Sequence, residues 1–296
     1  AILTVAIITI FTYWIVSTYA AAELKQIAPN LSTWIADPTS WQAWWLIGGG
    51  AFLLVWMVHF ARLGILKLIA RNINRSHETG GHLRELEFIG DDIYKLDLTN
   101  VPNLRSLLCV GTFISELDLS RVPMLESLMC RNSNLKALNL YNCPNLVELN
   151  CLTNKLTQLS IPYLPNLERL NCSVNRVTQL DISHAPSLIT ISCISNRLAR
   201  LDLSNAPSLE KIYCSDNRLT QLDLSTVPEL VELSCGGNKL THLDLSTVPN
   251  LSKLDCSSNK ISRLDLSNVL ELNELRCDKG VEITGVNGRD IEITRE

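Results

Sequence analysis

The regular recurrence of cysteine constrains this chain more than any other feature. Nine of its ten cysteines stand at every twenty-first position, beginning with Cys109 and Cys130 and ending with Cys277. Eight prolines keep this period from Pro102 onward, and six asparagines keep it from Asn154 onward. One period before Cys109 stands Phe88, in a segment that fits the same template. Ten units in register predict a repeat architecture, in which each unit buries its apolar edge against its neighbours.

The repeating unit reads L-x-x-L-x-C-x-x-N-x-L-x-x-L-D-L-S, and it begins with a strand-like alternation. Leu170 and Cys172 are predicted to point inward, and Asn171 and Ser173 outward. The unit resembles the leucine-rich repeat family, specifically the short bacterial type with cysteine in a strand leucine position, over residues 83–277. The resemblance implies a right-handed solenoid of about ten coils, a concave parallel sheet, and an asparagine side chain that bonds backbone across each turn.

The L-D-L-S stretch is predicted to form the opposite wall, with both leucines inside and the aspartate capping a turn. Calcium would need about six to eight oxygens that converge on one point. One aspartate per coil in a fixed column does not show such convergence, so turn capping is the preferred interpretation. The column comprises Asp97, Asp118, Asp181, Asp202, Asp223, Asp244 and Asp265.

The cysteines are interpreted as small buried hydrophobes rather than as ligands or disulfide partners. Cys143 lies outside the repeating column, at a small apolar position just before proline. Neighbouring strands of a parallel ladder rarely offer disulfide geometry. No C-x-x-C motif occurs, so no zinc site is expected. Ten unpaired thiols fit a reducing compartment.

The N-terminal region has a different composition. Residues 1–22 and 38–61 contain no Lys, Arg, Asp or Glu, and Glu23 and Asp37 lie just outside these runs. About 20 apolar residues suffice to span a bilayer. Residues 1–61 are therefore predicted to be two transmembrane helices joined by a short external loop. The triplet Gly48, Gly49 and Gly50 is interpreted as a helix-packing face. A signal peptide is the alternative for the first run. Since the chain starts at Ala1, a leader has been removed or upstream residues are absent.

Basic residues set the predicted orientation. Arg62, Lys67, Arg71 and Arg75 follow the second span, whereas the loop between the spans carries only Lys25. The positive-inside rule places the repeats in the cytosol and the loop outside, in a two-pass protein of the plasma (inner) membrane. Residues 62–82 are interpreted as a basic stalk and linker whose cations lie against anionic headgroups. The expected fold class is an α transmembrane hairpin followed by a leucine-rich repeat solenoid.

Two surface columns are candidate binding sites. Exposed apolar residues gather in the first coils of the concave face, where such a patch needs cover from a partner, the stalk or neighbouring side chains. The candidate partner-binding residues are Leu108, Val110, Met129, Arg131, Leu152, Ile194 and Tyr213. The second column follows the repeat asparagine and is interpreted as a solvated edge, or alternatively as a row that binds an anionic surface. It comprises Lys155, Arg176, Arg197, Arg218, Lys239 and Lys260.

The end of the chain departs from the repeat. Asn287 and Gly288 separate two alternating runs, which is a strong hairpin signal. Residues 278–296 are therefore predicted to form a β-hairpin that caps the open end of the solenoid.

No catalytic constellation is found in the sequence, and no enzyme activity, cofactor or metal is expected. The preferred hypothesis is a membrane-anchored scaffold, whose hairpin assembles with membrane subunits and whose solenoid docks a protein. A sensor-effector that detects a ligand and perturbs the membrane is the alternative. An enzyme whose active site lies in upstream sequence is a third possibility. The expected partners are protein and the lipid bilayer, with neither nucleic acid nor a small-molecule ligand.

Overall fold

The computed structural model describes residues 82–90, 93–286 and 288–296. The predicted transmembrane hairpin and nearly all of the predicted stalk lie outside these residues. Within the described part, no helix has the length and apolarity that crossing a membrane requires. The strands are β1 (Glu85–Ile89), β2 (Ser106–Val110), β3 (Ser127–Met129), β4 (Glu148–Asn150), β5 (Leu159–Ser160), β6 (Arg169–Asn171), β7 (Leu180–Asp181), β8 (Thr190–Ser192), β9 (Lys211–Tyr213), β10 (Glu232–Ser234), β11 (Lys253–Asp255), β12 (Arg263–Asp265), β13 (Glu274–Cys277), β14 (Glu282–Thr284) and β15 (Glu292–Arg295).

Eleven strands form one parallel sheet, in the order β1-β2-β3-β4-β6-β8-β9-β10-β11-β13-β15. Each strand pairs with its equivalent in the next coil, as Leu170 pairs with Ile191, one period further along the chain. The predicted alternation is confirmed, because Leu170 and Cys172 are buried while Asn171 is half-buried. Ser173 was predicted to point outward, but it is buried, and its Oγ lies 2.8 Å from Ser192 Oγ. The outward side of this sheet is called the long-sheet face below.

The opposite wall is built by the L-D-L-S stretches and the segments that align with them, which include two short parallel pairs, β5-β7 and β12-β14. Leu180 and Ile182 point into the core, as predicted. Asp181 Oδ1 accepts a hydrogen bond of 2.9 Å from the backbone N–H of Ser183. All seven aspartates of the column make this bond, so their predicted role in turn capping is confirmed. Hydrogen bonds from Ser183 lower the pKa of the Asp181 carboxyl, with the side-chain bond the largest cause.

The repeat asparagines tie successive coils together. Asn175 Nδ2 donates to the carbonyl oxygens of Cys172 in its own coil and Cys151 in the preceding coil, both at 3.0 Å. Its Oδ1 accepts the backbone N–H of Leu156 at 3.0 Å. The predicted bond from asparagine to the turn backbone is therefore confirmed. It extends further than predicted, because each side chain also reaches the coil before it.

A left-handed backbone residue stands two positions after Phe88 or the strand cysteine in nine successive coils. Three of these positions are glycine, and the other six carry a side chain, including the β-branched Val174 at φ 54°. A left-handed conformation costs an L-residue about 1–2 kcal/mol. The conformation recurs in coils with and without the repeat asparagine, so it follows from the turn of the coil whatever residue occupies the position.

The C-terminal segment corrects the predicted β-hairpin over 278–296. β14 pairs in parallel with β12, and β15 pairs in parallel with β13, so the two strands do not pair with each other. The chain instead makes one shortened coil, in which Leu275 pairs with Ile293, whereas a full period would bring Glu296 opposite it. Ile283, Val286 and Ile291 pack against the core. Continuing both ladders buries these side chains, which a hairpin projecting from the end would leave in water.

Candidate functional site

The first four coils bring an apolar cluster together on the long-sheet face. Ile89 pairs with Val110, and the carbonyl of Arg131 accepts the N–H of Gly111 at 3.0 Å. The carbonyl of Leu152 accepts the N–H of Asn132 at 2.9 Å, which sets Leu152 one ladder step beyond Arg131. In the adjoining column Leu108 pairs with Met129. We call this set the apolar patch; it comprises Ile89, Leu108, Val110, Met129 and Leu152, with Arg131 among them.

The patch is less open than the sequence predicts, with one exception. Leu108, Val110, Met129 and Leu152 are all half-buried rather than exposed. Ile89 was not among the predicted residues, yet it is 61% exposed. The signal for it was present, because the coil of Phe88 extrapolates directly from the repeat and places Ile89 after its strand phenylalanine.

Arg131 is the unusual charge of this face. Its Nε atom is buried and has no hydrogen-bond partner, and its guanidinium makes no ion pair with any described residue. A buried donor without an acceptor costs about 1–3 kcal/mol. A carboxylate that reached this guanidinium would form a bidentate, charge-assisted pair.

The other half of the long-sheet face pairs its cations with carboxylates. Lys253 lies 2.5 Å from Glu274, and Arg276 lies 3.8 Å from Asp255 and 3.5 Å from Glu296. Most of these residues line a shallow groove of 330 Å³. Both cations of the groove thus have counter-ions on the same face, whereas Arg131 has none among the described residues.

Two of the predicted partner-binding residues lie away from the patch. Ile194 stands two coils beyond Leu152, with Ser173 between them. Tyr213 belongs to the charged groove, where its hydroxyl donates to Glu232. Burial, helped by that carboxylate, raises the pKa of Tyr213 to about 12. The structure therefore gathers five of the seven predicted residues and leaves these two apart.

The predicted anionic-surface row is exposed along its length. Each basic residue is fixed by a backbone hydrogen bond to the coil before it, as Arg197 N–H donates to Val177 O at 2.9 Å. The members follow one another in successive coils: Lys155, Arg176, Arg197, Arg218, Lys239 and Lys260. The glycine triplet 48–50 and the basic residues Arg62, Lys67, Arg71 and Arg75 lie outside the described residues.

All ten cysteines are unpaired and buried. Burial raises the pKa of the Cys172 and Cys214 thiols to about 12. Thiols in this state are protonated at neutral pH and are poor nucleophiles. Their interpretation as core residues is confirmed. Within residues 82–90, 93–286 and 288–296, no group of three or more His, Cys, Asp and Glu side chains is placed to hold a metal ion.

One exposed contact was missed by sequence reasoning. The rings of Tyr94 and Phe113 stack with centroids 5.3 Å apart, and both side chains are exposed. Phe113 occupies the column that carries the basic row in later coils. The stack extends that edge of the solenoid toward the first coils with aromatic instead of cationic side chains.

The comparisons with known proteins concern the fold. No protein-family model matches the chain, and no curated protein matches it. Among solved structures, the functional domain of InlJ from Listeria monocytogenes, described as including a cysteine ladder, is 28% identical with a TM-score of 0.58. The match covers 71% of this chain and 55% of that domain, so this chain spans about half of it.

Two further neighbours are more distant in sequence. A leucine-rich repeat protein of Leptospira interrogans is 19% identical, with a TM-score of 0.59 and coverage of 69% of this chain and 68% of that one. The other is the ectodomain of the Arabidopsis thaliana receptor kinase GASSHO1/SCHENGEN3, solved in complex with CASPARIAN STRIP INTEGRITY FACTOR 2. It is 20% identical with a TM-score of 0.62, and the match covers 71% of this chain and 29% of that one. The described part of this chain is thus a leucine-rich repeat solenoid, and its cysteine column fits the ladder of the InlJ domain.

Proposed function

We propose that this chain is a protein-binding scaffold that docks its partner on the apolar patch. The observation that carries the proposal is Arg131, which has no counter-ion among the described residues and lies among half-buried apolar side chains, on a face whose other half pairs its cations. The leucine-rich repeat neighbours support binding as the general role. One of them is solved in complex with a named factor.

The chemistry of the patch indicates the partner's matching surface. Apolar side chains of the partner would cover Ile89, Met129 and Leu152, at roughly 25 cal/mol per Å² of apolar area before association costs. A carboxylate among them would reach Arg131 and satisfy its buried donor. The partner therefore presents an acidic side chain, or a chain terminus, within an apolar segment.

The docking prediction is tested with two outward substitutions in the patch. Met129→Asp with Leu152→Asp should release the partner, because two carboxylates in the patch would have to be buried on binding. The full chain is cross-linked in its native membrane and purified in mild detergent, and the captured proteins are identified by mass spectrometry. Thr190→Asp with Thr294→Asp adds the same charge elsewhere on the long-sheet face and should retain them.

The basic row provides the competing account of docking. Arg176→Gln, Arg197→Gln and Arg218→Gln together should leave capture unchanged. If this triple variant alone lost the partner, and did so with strong salt dependence, the assignment to the patch would be wrong. Unchanged far-UV circular dichroism in each variant shows that the solenoid is still folded.

Anchoring in a membrane is the second part of the proposal. Residues 1–61 are proposed to cross the bilayer twice, with the solenoid in the cytosol. The two uncharged runs and the ten unpaired thiols support this arrangement. Since the native cysteines are buried, an engineered cysteine would be the accessible thiol. In intact cells, Ser32→Cys should react with a membrane-impermeant maleimide and Ser76→Cys should not; the reverse pattern would overturn the orientation.

A further inference from the structure

The basic row is a regularly spaced line of cations. The N–H of each of its residues donates to the carbonyl of the preceding coil, as Arg218 does to Leu198 at 2.9 Å and Lys239 does to Leu219 at 2.8 Å. Neighbours in such a ladder stand about 4.8 Å apart. Six consecutive members therefore extend over roughly 24 Å. The backbone fixes their spacing, and only the side chains are free to adjust.

None of these six cations has a counter-ion in the described part of the chain. No ion pair or side-chain hydrogen bond joins them to another residue there. By contrast, Arg105, Arg169 and Arg276 each contact a glutamate or aspartate. The carboxylate that precedes the row in sequence, Asp216, accepts a hydrogen bond from Ser195 Oγ at 3.4 Å instead.

The exposed residues that follow the members of the row add positive charge and no negative charge, whereas the exposed Asp216 stands two positions before Arg218. In the six coils of the row, the second and third residues after each of its members are exposed. They include no carboxylate and no Phe, Tyr or Trp. With the row they form what we call the basic strip; these additional residues are Thr157, Gln158, Thr178, Gln179, Ala199, Arg200, Thr220, Gln221, Thr241, His242, Ser262 and Arg263.

We propose that the basic strip binds the anionic headgroup surface of a lipid bilayer. Each coil presents similar residue types at the same place, so the strip fits a ligand that is uniform along its length rather than one with a specific sequence. Its regular spacing along one edge of the coils fits an extended surface that carries many identical headgroups. Basic residues at such a surface are attracted by its negative potential.

Nucleic acid fits the strip less well. Single-stranded chains are held by basic grooves together with aromatic side chains on which the bases stack, and the strip has no Phe, Tyr or Trp to serve as such a platform. A column of aspartates, among them Asp181 and Asp202, begins two residues beyond the strip. It would repel a polyanion that wrapped around the edge.

This inference is independent of the apolar patch, because the strip shares no residue with it. It does not require the predicted spans either, since lipid contact can be measured whether or not they insert. The proposed docking function and the lipid contact can therefore fail separately.

The contact is measured on the full chain in nanodiscs of phosphatidylcholine, with or without phosphatidylglycerol. Thr178→Cys places a donor fluorophore on the strip, and Asn205→Cys places one beyond the aspartate column. The acceptor is a headgroup-labelled lipid. Energy transfer from position 178 should rise with phosphatidylglycerol and exceed that from position 205. The rise should disappear at high salt, because exposed charges are then screened.

Two triple variants with equal charge changes test the row. Arg176→Gln, Arg197→Gln and Arg218→Gln should weaken the contact on the order of 100-fold, given the attraction of each cation to an anionic surface. Arg105→Gln, Arg169→Gln and Arg276→Gln remove the same charge from positions that have counter-ions, and they should leave the contact in place.

Three results would overturn the proposal. The first is energy transfer that does not respond to phosphatidylglycerol. The second is equal loss of contact in both triple variants, which would reflect net charge alone. The third is binding of a labelled RNA oligonucleotide that the row variant abolishes while its lipid contact persists, which would assign the strip to nucleic acid.

Discussion

At the scale of single residues, the side chain of the repeat asparagine bonds the turn backbone, as the sequence pattern predicts. Asn196 Nδ2 donates to Cys172 O at 3.0 Å and to Cys193 O at 3.1 Å, and its Oδ1 accepts the N–H of Val177 at 2.9 Å. The side chain is 8% exposed. Its backbone partners therefore have little access to water as a substitute.

Replacing this asparagine should destabilise the solenoid strongly. Asn196→Ala leaves a buried N–H and two carbonyls without their partner, at a cost of about 3 kcal/mol or more. Asn205→Ala, at an exposed position further along the same coil, should change stability by less than about 0.5 kcal/mol. Urea unfolding of the full chain in mild detergent, followed by circular dichroism, measures both. Similar midpoints for the two variants would contradict this role for the asparagine.

The left-handed backbone conformation of the coil can be predicted from the sequence only where glycine occupies the position. Gly90, Gly111 and Gly237 recur in register, which is a sequence signal for a left-handed position. The same position holds Val174 and Asp216 in other coils, and residue preference alone would not place valine there. The conformation recurs in coils that lack the repeat asparagine, such as those of Gly90 and Gly111, so it is a property of the coil rather than of the residue.

At the scale of elements, the C-terminal coil shows how tertiary pairing overrides a local turn signal. The predicted hairpin relied on Asn287 and Gly288, but each flanking strand finds a parallel partner in the preceding coil. Arg289 secures this arrangement by donating to the carbonyls of Leu266 at 2.7 Å and Gly285 at 2.6 Å. The bond to Leu266 is a long-range contact, and sequence spacing gives no indication of it.

The candidate site likewise has features that the sequence predicts and features that only the packed structure shows. The repeat period predicts which residues share the long-sheet face, because strand alternation and register follow from it. It therefore places Leu108, Met129 and Arg131 correctly as neighbours. It does not predict how far neighbouring side chains cover one another, nor which charges find partners. The half-burial of Met129 and the unpaired Arg131 emerge only from the packed structure.

At the scale of the whole molecule, the cysteine column makes the solenoid sensitive to alkaline pH. Burial raises the pKa of all ten thiols, to about 12 for Cys109, Cys172, Cys214 and Cys256 and to about 11 for Cys143. In the unfolded chain a thiol titrates near its ordinary value of about 8.5. Between these values the folded state holds more protons than the unfolded state. The thiols thus contribute their full stabilisation below about pH 8.5, and lose it as the pH rises.

We therefore expect cooperative unfolding above about pH 9. Each thiol that stays protonated only in the folded state removes about 1.4 kcal/mol of stability per pH unit. Because ten thiols act together, the transition should fall within one or two pH units. Urea unfolding of the full chain in mild detergent at pH 7, 9, 10 and 10.5 measures the decline. Cys172→Ala with Cys214→Ala should lower stability at pH 7 through the cavities left. The same variant should make the free energy of unfolding fall less steeply with pH, because two fewer protons are released on unfolding. A stability that stayed level from pH 8 to 10.5 would show that the thiols ionise without unfolding the solenoid.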